Sequence, residues 1–247
     1  MSGHSKWSTI KRKKGAADAK RSKIFSRLVK EIQIAVREGG ADPEGNPSLR
    51  LALQNAKGAN MPKDNIERAI KKGEGESDAL QEVTYEGYAL HGVAVIVECL
   101  TDNHNRTVGN IRAIFNKRGG SLGTNGSLSF LFDRKGVITI PKNDMDPEEF
   151  QLEIIDAGVE DFEIEDDVFV ITTAMEDFGP VQKKLESMGV TPENATLSRI
   201  PNNMKTLEPE AALKVLKMVD EFEDDDDVQN VYHNLELTKE IEAAMDN

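Results

Sequence analysis

The sequence contains a single cysteine, Cys99, among 247 residues. One cysteine excludes an intramolecular disulfide bond and any zinc site that needs two or more thiolates, so a reducing compartment, the cytoplasm, is the expected location. Long apolar runs are missing as well. The densest aliphatic stretch covers residues 93–97, whereas a membrane-spanning helix needs about 18 apolar residues or more. We therefore expect no membrane anchor.

Patterns that supply catalysis or bind cofactors are scarce too. The four histidines lack the spacing of a metal site, and the acidic run at residues 221–227 lacks the glycine and distal glutamate of a calcium loop. That run is interpreted as a solvated helix end. The glycine-rich stretch 119–126 has neither a P-loop ending nor a dinucleotide fingerprint, which favours a plain turn over a phosphate cradle. Cys99 lies in an alternating strand. We predict a protein that is not an enzyme and that binds no cofactor and no metal.

Acidic residues are scarce at the start of the chain. The net charge is −13 overall, which argues against nucleic-acid binding. Residues 1–75, however, carry 17 Lys and Arg against 8 Asp and Glu, a net charge of +9, and the remaining 172 residues carry −22. Such asymmetry points to a segment that contacts nucleic acid or to a basic tail.

The first 23 residues concentrate this positive charge and contain few apolar side chains. We predict that they contact nucleic acid, with the aromatic face of Trp7 available for an unpaired base. The alternative is a solvated arm that Trp7 anchors to the body of the protein. Because the stretch 6–21 cannot pack by itself, we expect an arm that is mobile or ordered by its partner. The predicted cationic contacts are Lys6, Lys11, Arg12, Lys13, Lys14, Lys20, Arg21 and Lys23.

Helical periodicity follows the basic arm. Apolar residues from Phe25 to Val36 form one stripe, and two further helices begin near Pro47 and Pro62, which predicts a small three-helix bundle. The third helix carries a secondary set of cations that either extends the basic patch or forms its solvent side. This set consists of Lys63, Arg68, Lys71 and Lys72.

A polar linker at residues 73–78 separates the bundle from segments with strand periodicity. Strands are predicted near residues 83–85, at 92–100 and at 127–132. Between the last two, Asp102 or Asn103 is placed to cap a helix whose apolar residues are Val108, Ile111, Ile114 and Phe115. Residues 136–200 then alternate as β-α-β-β-α-β, the order of a ferredoxin-like unit. A helix at 209–222 and a strand at 228–233 complete the chain. The simplest topology inserts the ferredoxin-like unit into a middle domain that otherwise lacks its last helix and strand.

The predicted fold class is therefore α+β with three domains, a three-helix bundle and two α/β domains with ferredoxin-like character. The predicted boundaries are a basic arm at 1–23, a helical domain at 24–78, a middle domain at 79–134 plus 204–247, and an inserted domain at 135–203.

The polar stretch from Asp102 to Thr107 joins an apolar strand to a helix, at the kind of strand end where α/β folds place binding sites. Helix capping by Asp102 or Asn103, with local pairing of Arg106, explains it more simply. We retain Asn103, Asn105 and Arg106 as secondary candidates for nucleic-acid binding. A small-ligand sensor or enzyme built around this strand end is a less favoured hypothesis.

Several long motifs resemble those of one family across essentially the whole chain. The chain resembles the YebC/PmpR family of probable transcriptional regulators, which is related to a mitochondrial translational activator of cytochrome oxidase subunit one. The motifs occur at residues 3–7, 19–25, 46–50, 60–62, 85–88, 98–103, 105–107 and 227–233.

The resemblance implies three domains, a helical N-terminal one and two α/β ones, and no enzymatic activity. For some members it implies DNA binding in regulation. For others it implies ribosome-associated translational activity, including easier synthesis of proline-rich stretches. The expected partner is thus DNA or ribosomal RNA, bound through the basic N-terminal region. Basic ribosomal proteins are an additional expected partner of the acidic domains.

Overall fold

The structure is a computed structural model that describes residues 17–75, 80–165 and 167–245, with side chains from residue 21 onward. The described chain divides into two compact units. Unit 1 contains residues 80–133 and 199–245, and unit 2 contains residues 21–75 and 134–198 apart from the undescribed Asp166. The architecture is α+β, and in the chain residues 134–198 are inserted into unit 1. Within the described ranges, no helix combines the length and the apolar character of a membrane span.

Three helices open the described chain: α1 (Ala17–Gly39), α2 (Pro47–Gly58) and α3 (Lys63–Glu74). The side chain of Asn46 caps α2 by accepting a hydrogen bond from Leu49 N at 3.0 Å, and Pro47 occupies the first helical position. Leu28, Ile32, Leu49 and Ala69 lie in the common core. The predicted three-helix bundle is confirmed, but α1 begins before the predicted stripe, so part of the predicted arm is helical.

The second part of unit 2 is a four-stranded sheet with two helices. Its elements are β4 (Phe132–Pro141), α5 (Pro147–Ile155), β5 (Val159–Ile164), β6 (Val168–Ala174), α6 (Phe178–Ser187) and β7 (Asn194–Pro201). The strand order β5-β6-β4-β7, with β6 antiparallel to both β4 and β5, is that of the predicted ferredoxin-like unit. Phe150, Phe162 and Phe169 pack against one another in its core.

Helix α2 is joined to the edge strand of this sheet through one buried side chain. Asn55 Nδ2 donates to Ala195 O, and Asn55 Oδ1 accepts from Ala195 N, each at 2.8 Å. Gly58 supports the same close approach, because a Cβ atom there would lie 2.1 Å from Glu193 O. The bundle and the ferredoxin-like sheet therefore form a single unit.

Unit 1 is built on a second four-stranded sheet. Its elements are β1 (Gln81–Tyr88), β2 (Ala94–Thr101), α4 (His104–Lys117), β3 (Ser121–Leu122), α7 (Pro209–Asp224), β8 (Val228–His233) and α8 (Lys239–Met245). The strands lie in the order β3-β1-β2-β8 with antiparallel neighbours. Residues of α4 and α7, including Phe115 and Phe222, pack with Val95 and Val97 of β2. Leu128 covers the opposite face with Ile96 and Tyr232.

One prediction for unit 1 is corrected, and one of its helices was missed. The strand expected at 127–132 is wrong, because this stretch is a turn followed by a 3-10 helix at Ser129–Leu131, and the strand after α4 is the short β3. The cause lies in Glu86, whose carboxylate accepts from Gly126 N at 2.8 Å and from Leu128 N at 2.6 Å. With their amides bound to Glu86, these loop residues do not pair as a strand of the sheet, and Leu128 packs on one face of the sheet instead. Helix α8 was not predicted.

Candidate nucleic-acid interface

The predicted cations of the N-terminal arm fall mostly outside the described residues. Lys6, Trp7, Lys11, Arg12, Lys13 and Lys14 precede residue 17, and the prediction for them stays a prediction. Lys20 lies on α1, although its side chain is not described, and Arg21 and Lys23 follow on the same helix. The guanidinium of Arg21 lies over the ring of Phe25, 5.4 Å from its centroid, and donates to Asn60 O at 3.5 Å.

Helix α3 presents a surface of mixed charge. Lys63 pairs with Glu67 at 3.5 Å, and both side chains are largely exposed. The guanidinium of Arg68 hydrogen-bonds the side chain of Asn65 and donates from Nε to Asp64 O at 3.1 Å. Lys71 and Lys72 lie in the last turn, where their charge complements the helix dipole. Since Arg68 and Asn65 bind each other, the two side chains best suited to contact base edges are engaged within the helix.

Glu31 is a carboxylate on the helix that carries Arg21 and Lys23. Burial raises the pKa of Glu31 to about 7, and the nearby charge of Arg27 opposes this shift. Part of the Glu31 side chain is still exposed to solvent. Its ionisation therefore lowers the free energy of unfolding by less than the full pKa shift implies. The charge of α1 therefore changes close to neutral pH.

The raised pKa of Glu31 predicts a specific pH dependence of stability. Because the folded pKa exceeds the unfolded value, the penalty for ionising Glu31 is absent below about pH 4.5 and complete above about pH 7. We expect Glu31→Gln to raise the free energy of unfolding by about 1–2 kcal/mol at pH 8 and to change it little at pH 4.5. Urea unfolding at the two pH values measures both effects. An equal effect at both would contradict the raised pKa.

The stretch from Asp102 to Thr107 forms the capped start of α4. Asn103 is the N-cap residue, and its side chain accepts from Arg106 N at 3.1 Å. The guanidinium of Arg106 binds Asp102 at 2.9 Å and Asp227 at 2.7 Å. The structure therefore contains the helix cap and the local pairing of Arg106 that the sequence predicted as the simpler explanation of this stretch. The side chain of Asn105 is exposed beside them.

Asp227 is a buried carboxylate that joins three elements of unit 1. Besides Arg106, it accepts hydrogen bonds from Thr101 at 3.2 Å and from Thr107 at 2.9 Å. It thereby connects the end of β2, the first turn of α4 and the segment between α7 and β8. The interpretation of residues 221–227 as a solvated helix end is wrong for Asp227 and for Glu221, which binds both Lys117 and Arg118. The two basic partners lower the pKa of Glu221 to about 2.

The remaining candidate sites of unit 1 are occupied by structural contacts. Glu86 takes the backbone amides in the glycine-rich loop that a phosphate would require, so this loop is a plain turn, as predicted. Cys99 is buried in β2, and burial is the main cause that raises the pKa of neighbouring Tyr85 to about 12. The described residues contain no group of three or more His, Cys, Asp or Glu arranged to hold a metal ion.

Sequence reasoning missed the role of Asp227 and the exposed, unpaired position of Arg112. Asp227 lies in an acidic run, and nothing in its spacing distinguishes it from its solvated neighbours. Arg112 lies on the exposed side of α4 and makes no hydrogen bond or ion pair with any residue whose side chain is described. The sequence does distinguish Arg112, because residues 103–132 around it contain no Asp or Glu.

Comparison with known proteins gives consistent matches over the chain. Residues 5–76 match the family model described as the TACO1/YebC protein N-terminal domain, and residues 80–235 match the model described as the TACO1/YebC second and third domain. Proteins named "Probable transcriptional regulatory protein" are similar over nearly their whole length. One from Amoebophilus asiaticus is 54% identical over 95% of this chain and 98% of its own, and one from Geotalea uraniireducens is 52% identical over 97% and 98%.

A solved structure is also similar to this chain. It is the conserved hypothetical protein Aq1575 from Aquifex aeolicus, which is 46% identical in sequence and gives a TM-score of 0.83. The match covers 91% of this chain and 93% of the other.

Proposed function

Because the chain belongs to the TACO1/YebC family, we propose that it is a non-enzymatic regulator of gene expression that binds nucleic acid through its basic N-terminal region. The relatives named as probable transcriptional regulatory proteins support a role in regulation. Their names support transcription as the regulated step, and therefore DNA as the first candidate partner. The basic residues from Lys6 to Lys23 would supply the contacts.

The charge distribution is the observation that carries this proposal. The net charge of +9 on residues 1–75 is separated along the chain from −22 on the rest. Lys and Arg side chains that neutralise phosphates release counterions, and this release supplies most of the affinity in sequence-independent binding. Residues 76–247, with their net charge of −22, are repelled on average by a phosphate backbone, which restricts the contact to basic segments.

Base-specific reading is the less favoured form of DNA binding. Helix α3 is the helix that a helix-turn-helix arrangement would present to a major groove. Its Arg68 and Asn65 hydrogen-bond each other, and Lys63 pairs with Glu67. Contacts to the phosphate backbone, with little preference for sequence, suit these residues better.

A second candidate function is translational. In this version the basic region binds ribosomal RNA, and the two acidic α/β domains avoid the RNA or contact basic ribosomal proteins. Easier synthesis of proline-rich stretches would be the consequence. The mutual engagement of Arg68 and Asn65 favours it, because ribosomal RNA binding places no demand on major-groove reading. The strongly acidic remainder of the chain also favours a partner that has both RNA and basic protein at its surface.

Binding measurements test the shared part of the two versions. We expect a variant with Lys11, Arg12, Lys13 and Lys14 all changed to Gln to lose about tenfold or more in affinity for a nucleic-acid probe at ~150 mM salt. The magnitude of the slope of log affinity against log salt should fall by about 3, since each phosphate that a cation neutralises contributes about 0.7–0.9 through counterion release. The matched control changes Lys183 and Lys184, in the acidic ferredoxin-like unit, to Gln. Equal effects of the two variants would reject the proposed role of the N-terminal region.

Crosslinking in cells, followed by sequencing of the bound nucleic acid, separates the two versions. Enrichment of promoter DNA supports regulation of transcription, and enrichment of ribosomal RNA supports the translational role. Recovery of neither above the background of an uncrosslinked sample would reject both.

A further inference from the structure

The acidic unit 1 contains a long stretch without negative charge. Its described residues carry 9 basic and 17 acidic side chains, a net charge of −8. Between Asp102 and Asp133, however, thirty consecutive residues contain no Asp or Glu, although 44 acidic residues occur among the 247 of the chain. The same stretch contains four basic residues, all on or next to α4. Within the described residues, Arg106 pairs with Asp102 and Asp227, and Lys117 and Arg118 pair with Glu221. Arg112 is therefore the cation of α4 that has no acidic partner among those residues.

Two sides of α4 are already used by the fold. Ile111 and Phe115 pack into the core of unit 1. On a second side, Asn110 donates to Asp225 at 2.9 Å and Lys117 to Glu221 at 2.8 Å, so this side is joined to the segment that ends α7. These contacts leave the remaining side of α4 without a partner in the described part of the chain.

The remaining side is a narrow polar stripe. At about 100° per residue, Asn105, Gly109, Arg112 and Asn116 fall within about 60° of one another around the helix axis. All four are exposed. Arg112 and the side chains of both asparagines make no hydrogen bond or ion pair with residues whose side chains are described. A guanidinium between two amides offers donors that suit phosphate and sugar oxygens.

Gly109 supplies an independent observation. Glycine in the middle of an exposed helix is less stable than alanine, because its backbone loses more freedom on folding. Folding does not require it here, since a Cβ atom at Gly109 would meet nothing within 4 Å and its φ is not positive. Gly58, by contrast, has a clear reason, because Glu193 O would lie against its Cβ. Glycine at position 109 leaves space for something outside the chain to approach the helix backbone.

From the acid-free stretch, the unpartnered stripe and the unexplained glycine, we propose that the outer face of α4 is a second nucleic-acid contact that holds a phosphodiester strand. Arg112 binds a phosphate, Asn105 and Asn116 hydrogen-bond the sugar-phosphate backbone, and Gly109 lets the strand approach the helix closely. The inference rests on the proposed function and extends it from the N-terminal region to unit 1.

Variants of the full chain distinguish a binding role of the α4 face from a role in folding. Gly109→Gln and Asn105→Asp should stabilise the protein while they weaken nucleic-acid binding. Gly109→Gln replaces glycine by a helix former and should raise Tm by a few degrees, yet its side chain blocks the stripe and should weaken binding by about tenfold. Asn105→Asp adds negative charge in the first turn, which suits the helix dipole but repels phosphate. Arg112→Gln should reduce the salt slope by about 0.7–0.9. The matched control is Ala113→Gln, which places the same side chain at an exposed position beside the stripe.

Binding is measured with three labelled probes at ~150 mM salt: a single-stranded RNA, a single-stranded DNA and a duplex DNA. We expect all three stripe variants to bind more weakly than the Ala113→Gln control, and the probe most affected identifies the kind of strand. Suppose that the stripe variants bind like the unaltered protein, while the variant with Lys11, Arg12, Lys13 and Lys14 changed to Gln loses affinity. The proposed contact on α4 is then rejected, and the proposed function remains. If the unaltered protein binds no probe, the second contact and the proposed function are both rejected.

Discussion

Asp227→Asn is expected to lower the free energy of unfolding of unit 1 by about 3 kcal/mol at pH 7. The carboxylate is buried and accepts from Arg106, Thr101 and Thr107, and all three donors lose charge-assisted bonds when an amide replaces it. An asparagine of nearly the same volume also turns an NH₂ group towards one of these donors. Thermal unfolding of unit 1 should show a fall in Tm of about 12 °C or more. Hydrogen exchange should show faster opening at the end of β2 and the start of α4.

The matched control is Asp102→Asn. Asp102 binds the same guanidinium at 2.9 Å, but its side chain is 46% exposed against 6% for Asp227. Exposed ion pairs contribute little because solvent screens them. We expect a change of about 0.5 kcal/mol or less. If the two variants destabilise unit 1 equally, burial of Asp227 does not determine its contribution.

Asn55→Ala should lower the stability of unit 2 by about 3 kcal/mol, since it removes both hydrogen bonds to Ala195. Ala195 is fully buried, so its amide and carbonyl groups lose their partners without gaining water. Strand β7 lies at the edge of its sheet, and unpaired backbone groups at an edge also promote association between chains. Urea unfolding measures the loss of stability, and light scattering measures the association.

Lys57→Ala on the same helix serves as the comparison. Lys57 is exposed, and its side chain makes no contact with β7 among the hydrogen bonds and ion pairs of the described residues. Alanine there should change stability by about 0.5 kcal/mol or less. Protection of the Ala195 amide from hydrogen exchange should fall in Asn55→Ala and persist in Lys57→Ala. Persistent protection in both would show that Asn55 does not hold the strand edge.

Elements with strong periodicity could be predicted from sequence, and elements defined by distant polar contacts could not. The β-α-β-β-α-β order of the ferredoxin-like unit follows from apolar periodicities that its own core imposes. The segment 127–132 has strand-like composition, yet Glu86, about forty residues earlier, binds its amides and makes it a turn. A contact between such distant residues leaves no local pattern in the segment that it reshapes.

The candidate sites divide in the same way. Asn103 could be predicted as a cap because capping depends on neighbours within one turn. The role of Asp227 could not, because its partner Arg106 lies 121 residues away in sequence. The importance of position 109 also required coordinates, since only a test for nearby atoms distinguishes a glycine that packing requires from one that it does not.

The insertion of residues 134–198 into unit 1 governs the order in which the chain can fold during synthesis. The central strand β2 is buried along almost its whole length, and β8, which covers one of its edges, is made more than a hundred residues later. Unit 2 has all its elements once β7 has left the ribosome, whereas unit 1 must wait for α7 and β8. One edge of this apolar strand therefore stays unpaired while about half of the chain is made. Slow elongation between β2 and β8 should accordingly increase aggregation of nascent chains, and a holding chaperone should reduce it.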